Sequence, residues 1–96
     1  GVWIEINDLI KAKKRNNRFL NYMNFDVCMK PGAKFSEHFH TDIVESTEII
    51  KGEMHDVTSG IVYKVGDVAN YVEGIKHTPI ANEETILHVL FKKQKK

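Results

Sequence analysis

The chain has 96 residues, a formal net charge of +1 and a single cysteine. That length suits one domain around one core, and 42% hydrophobic residues exclude disorder by composition. The apolar runs are only a few residues long, which excludes a membrane-spanning helix. Cys28 has no partner for an internal disulfide and cannot supply a thiolate cluster. It stands in an alternating apolar stretch and reads as buried and inert. The first residues are too polar for a signal peptide, so a cytoplasmic location is expected. Positive charge gathers at residues 11–18 and in the lysine tail, 92–96. Neither cluster interleaves aromatics, so both read as solvated lysines, with no nucleic-acid and no membrane partner.

Taken in order, residues 2–6 (VWIEI) alternate in β-forming residues and read as a strand. Asn7-Asp8 is a turn or a helix cap, and residues 9–14 are expected to make one short helical turn. Residues 19–29 (FLNYMNFDVCM) have period two. Phe19, Met23, Phe25, Val27 and Met29 fall on one parity, which is the expected core face of a long strand. Pro31-Gly32 turns the chain. Further strands are expected over residues 44–51, 53–57, 61–65, 68–72, 76–80 and 85–91, punctuated by Gly52, Gly60, Gly66 and Gly74. Many short strands at regular spacing predict an all-β sandwich or barrel in a single domain spanning residues 1–96. Residues 1–18 would form an N-terminal strand and connector.

Gly32 to Gly52, GAKFSEHFHTDIVESTEIIKG, carries the chemistry. His38 and His40 are two residues apart, so on a strand both imidazoles point to one side. Glu45 lies five residues beyond His40, an odd step. A turn or bulge at Thr41-Asp42 would reset the phase and bring its carboxylate to the histidines. Two imidazoles and a carboxylate converging on one point suit a transition metal. His77 offers a third imidazole downstream. His55 and His88 lie outside this pattern. His88, between Leu87 and Val89, is expected in the core, and His55 on an exposed polar strand.

These residues resemble the two motifs of the cupins. The first motif is glycine, five residues, His-x-His, three or four residues, Glu, six residues, glycine. Gly32, His38, His40, Glu45 and Gly52 match it at every spacing, with the four-residue option. The second is glycine, five residues, Pro-x-Gly, two residues, His, three residues, Asn. Gly66, Gly74 and His77 match, Val72 replaces the proline, and Asn82 comes one residue late. Residues 63–91 also look like the zinc-binding cupin domain of bacterial anti-sigma factors. The resemblance implies a double-stranded β-helix, or jelly roll, in which His38, His40, Glu45 and His77 hold one metal inside the barrel. It also implies a homodimer through the N-terminal strand, where Val2, Trp3 and Ile4 form an apolar edge.

Three imidazoles and a carboxylate would suit iron, manganese, cobalt, nickel, copper or zinc, and offer too few oxygens for calcium. Parity places Met23, Phe25, Thr47, Ile49 and Val89 as wall candidates for a mostly apolar cavity, fitting a small, uncharged or enolisable ligand. Three functions follow as expectations. One is a metal-dependent oxygenase, isomerase or decarboxylase acting on a small molecule. The second is a non-catalytic metal- or ligand-sensing module, and the third a structural interaction domain with a vestigial site. Fold and ligand set do not choose a reaction among these.

Overall fold

The computed structural model describes residues 2–15, 22–35, 43–72 and 74–93. Among them are nine strands and no helix: β1 (Trp3–Asn7), β2 (Ile10–Arg15), β3 (Tyr22–Met29), β4 (Ile43–Lys51), β5 (Glu53–Asp56), β6 (Ile61–Lys64), β7 (Val68–Tyr71), β8 (Pro79–Ala81) and β9 (Thr85–Lys93). They form two antiparallel sheets. The larger runs β1-β2-β3-β9-β4-β7 and the smaller β6-β5-β8. The all-β jelly-roll expectation therefore holds.

The helical turn expected over residues 9–14 is replaced by β2. Ile10 is buried and Ala12 half-buried, while Lys11 between them is exposed, which is a period of two and not of 3.6. β2 also pairs on both sides, Trp3 with Lys13 across β1 and Lys11 with Cys28 across β3. Two ladders satisfy its backbone more completely than one isolated helical turn could. Asn7 serves the turn reading: its Oδ1 accepts the Leu9 N–H at 2.8 Å and closes the β1–β2 hairpin.

The inner face of the large sheet carries Val27 and Met29 of β3, Leu87 and Val89 of β9, and Ile49 of β4. Met54 and Ala81 close the core from the small sheet. The parity expected for β3 is observed at Phe25, Val27 and Met29, while Met23 is 41% exposed and Phe19 lies outside the described residues. Two expectations are corrected on the outer face of the same sheet. His88 is not in the core: it shares the half-buried face of Ile86 and Leu90, in register between Asp26 and Glu48. Cys28 is half-buried on that face as well, between Lys11 and Ile86. In both strands apolar residues occupy both parities, so alternation alone could not say which face was inward.

Gly52 joins β4 to β5 with φ of 87°, a conformation that disfavours side chains. A Cβ there would also lie 2.7 Å from Thr85 Oγ1 and 2.9 Å from Thr85 Cα. Thr85 fills that space because its hydroxyl donates to the Glu53 carbonyl at 2.9 Å. The step between the two sheets thus depends on backbones in near contact.

Candidate metal centre

Of the four predicted ligands, the structure describes Glu45 and His77, while His38 and His40 lie outside the described residues. So does the Thr41-Asp42 turn expected to set the phase of Glu45. β4 directs Glu45 inward on the parity of Thr47 and Ile49, and all three are buried. His77 immediately precedes the short segment into β8 and is 1% exposed. The two meet with His77 Nε2 at 3.7 Å from Glu45 Oε1.

Several contacts orient this pair. Thr47 Oγ1 donates to Glu45 Oε2 at 2.7 Å. Tyr71, opposite Glu45 on β7, stacks on the His77 ring with centroids 4.0 Å apart and planes at 15°. His77 Nδ1 lies 3.3 Å from the Ile75 carbonyl. A carbonyl can only accept, so this contact places a proton on Nδ1 and leaves Nε2 as the nitrogen that faces Glu45. An imidazole nitrogen and a carboxylate oxygen side by side are donor types that a divalent transition metal takes, so these two residues fit a metal. Burial, with the neighbouring Tyr63, Asp56 and Glu45, pushes the Tyr71 hydroxyl far above the ordinary phenol range. It remains a neutral phenol.

The chain behind His77 is held by Asp56, a residue that sequence reasoning passed over. Asp56 is 1% exposed. Its Oδ1 accepts the Thr78 N–H at 2.8 Å and the Thr58 N–H at 3.0 Å. Burial pushes the Asp56 carboxyl up, but these bonds and those from Ser59 outweigh it and hold the carboxyl below its ordinary value. Thr58 and Thr78 also share a hydroxyl contact of 2.7 Å. The β5–β6 turn is thereby tied to the residue after His77. An Asp at a strand end before Val-Thr-Ser-Gly was the available signal, as a turn-capping side chain.

Glu45, Thr47, Tyr71 and His77 line a cavity of about 300 Å³ between the sheets. Phe25 and Val89 line it as expected, whereas Met23 and Ile49 do not. Phe35, Phe91, Met54 and Pro79 were not anticipated. Of the chain's three tyrosines, Tyr71 alone lines this cavity. Lys51 is outside, exposed and paired with Glu84 at 2.9 Å. His55 is half-buried, not exposed, and contacts Asn82 Oδ1. Asn82 Nδ2 in turn donates to Glu53 Oε2 at 2.7 Å. The late asparagine of the second motif thus ties the β8–β9 turn to β5.

No family model matches the chain, and no curated protein does. Solved structures do. KdgF from a Halomonas species superposes with a TM-score of 0.89 at 17% identity, covering 99% of this chain and 88% of that one. An RmlC-like cupin from Shewanella frigidimarina gives 0.83 at 19% identity, covering 99% and 86%. The Rhodobacter sphaeroides complex of SigE with the anti-sigma ChrR gives 0.81 at 16% identity, covering 96% of this chain and 49% of that one. The fold is that of the cupins.

Proposed function

We propose that this cupin-fold chain binds one divalent transition metal through His38, His40, Glu45 and His77 and uses the cavity beside it to bind or transform a small molecule. The observation that carries this reading is the buried Glu45–His77 pair, 3.7 Å apart in the wall of a 300 Å³ cavity. A carboxylate and an imidazole side by side are donor types that a divalent transition metal takes, and buried ionisable groups in a cavity wall mark a candidate functional site. When bound, the metal would supply Lewis-acid polarisation of a carbonyl or enolate, or a place for dioxygen. The protein's own part is to orient: Tyr71 fixes the plane of His77, Ile75 its tautomer and Thr47 the rotamer of Glu45. The walls are mostly apolar. Oxygenase, isomerase and decarboxylase chemistry all remain open to such a site.

The likeness to the anti-sigma ChrR, over 96% of this chain, favours a second reading, a module that senses the metal or ligand without turnover. Metal-dependent conversion of an enolisable or catechol-like substrate would exclude it. The reading also includes a homodimer. β1 is an edge of the large sheet among the described strands; Val2 just before it is 80% exposed, and Ile4 and Ile6 on it are 65% and 53% exposed. Antiparallel pairing of two such edges is self-complementary and would cover them.

The test is elemental analysis of untagged protein purified without a nickel column, beside His77→Ala, with folding checked by circular dichroism. Near-stoichiometric transition metal in the wild type, lost in the folded variant, is the expected result. No metal in either protein, and no uptake on incubation, would sink the ligand assignment.

A further inference from the structure

The cavity is polar at one end and apolar at the other, and the strand register explains how. On the inner face of the large sheet, Tyr71 of β7 pairs with Glu45 of β4, and Thr47 follows Glu45 by two residues. With His77 stacked on Tyr71, these four supply the ionisable and hydroxyl groups of the lining. One strand further on, Glu45 pairs with Phe91 of β9. Beyond β9 the inner face presents Phe25 and Val27 of β3, then Ala12 of β2 opposite Val27. The apolar floor from β9 to β2 spans two strand spacings, about 10 Å. Phe25 and Phe91 meet edge to face across it, with centroids 5.7 Å apart and planes at 74°.

No lysine or arginine lines the cavity among the described residues. Lys14, opposite Phe25 in register, is exposed and does not line it. A carboxylate or phosphate lying over this floor would be desolvated with no cationic side chain of the described lining to receive it. A ring of about the floor's length would instead bury apolar surface against the phenylalanines.

Resting on the site proposed above, we infer that its ligand is a neutral molecule with a flat aromatic body of one or two rings and a single hydroxyl or carbonyl. The ring system lies on the Phe25–Phe91 floor and the oxygen faces the Glu45–His77 end. The described lining offers no lysine or arginine to a sugar acid, a phosphorylated sugar or another anion.

The test is calorimetric titration with 2-naphthol and, separately, with 2-naphthoate, which keeps the rings and replaces the hydroxyl by a carboxylate. Metal-free and zinc-loaded protein are both titrated. Binding of 2-naphthol at least 10-fold tighter than 2-naphthoate in both forms is expected. Phe25→Leu, which keeps an apolar side chain and removes the ring, should weaken 2-naphthol by about 3- to 10-fold while the protein stays folded by circular dichroism. Absence of 2-naphthol binding, a preference for 2-naphthoate in either form, or unchanged affinity in folded Phe25→Leu overturns the inference. Zinc uptake is measured separately by elemental analysis. Naphthol binding without metal uptake would remove the metal reading and leave this one standing. Metal uptake without naphthol binding would do the reverse.

Discussion

At Asp56 a single carboxylate links turn geometry to the candidate site, and its position makes a pH prediction. Folding holds its carboxyl below the ordinary value of 3.8, so the unfolded chain binds the proton more readily. The stabilisation it gives is therefore complete above about pH 4 and is lost as pH falls from there through the lowered folded value. Asp56→Ala removes the acceptor of two backbone N–H groups, one of them buried, and should cost about 2–3 kcal/mol at neutral pH. The difference in stability between wild type and variant, followed by thermal melts, should narrow below pH 4. An equal difference at pH 3 and pH 7 would show that Asp56 is not the titrating group. His77→Ala is the complementary change: it removes the imidazole itself, and its readout is metal content.

Among the elements, the β4–β5 step constrains the sequence most tightly. Gly52 combines a positive φ with neighbours that leave no space for a Cβ. Gly52→Ala should destabilise by at least about 2 kcal/mol. Gly60→Ala serves as the control, because Gly60 has a similar φ of 79° but open space around its Cβ position, and it should cost about 1 kcal/mol. Denaturant melts of the two variants separate backbone strain from close packing, and equal losses would mean that the Thr85 contact yields. The β1–β2 hairpin shows a different constraint. The local sequence of residues 9–14 suits a helical turn, but the period-two burial of Ile10 and Ala12 becomes decisive once β3 lies alongside.

For the whole molecule, the exposed β1 edge predicts association. Light scattering should give twice the chain mass of 11.1 kDa. Ile4→Glu should shift the mass toward the monomer, since it places a charge at the centre of the apolar edge. Trp3 is the sole tryptophan and lies on this edge, with the Lys11 and Lys13 ammonium groups 5.0 and 5.1 Å from its ring centroid. Its emission should therefore shift to longer wavelength on dilution of a dimer. A wild-type monomer at high concentration would count against the interface.

The sequence by itself determined the β class, most strand positions and the jelly-roll fold. Period-two alternation and turn glycines are local signals, and the spacing of Gly32, His38, His40, Glu45 and Gly52 is specific. It also singled out Glu45 and His77, which lie 32 residues apart and meet in the fold at 3.7 Å. His38 and His40, proposed as ligands from their spacing, lie outside the described residues. Only the tertiary structure decided which face of a doubly apolar strand turns inward, as at Cys28 and His88. It alone showed Asp56 holding the chain behind His77, and polar and apolar groups separated along the cavity. These properties depend on which strands become neighbours, and pairing between distant segments leaves no periodic trace in the chain.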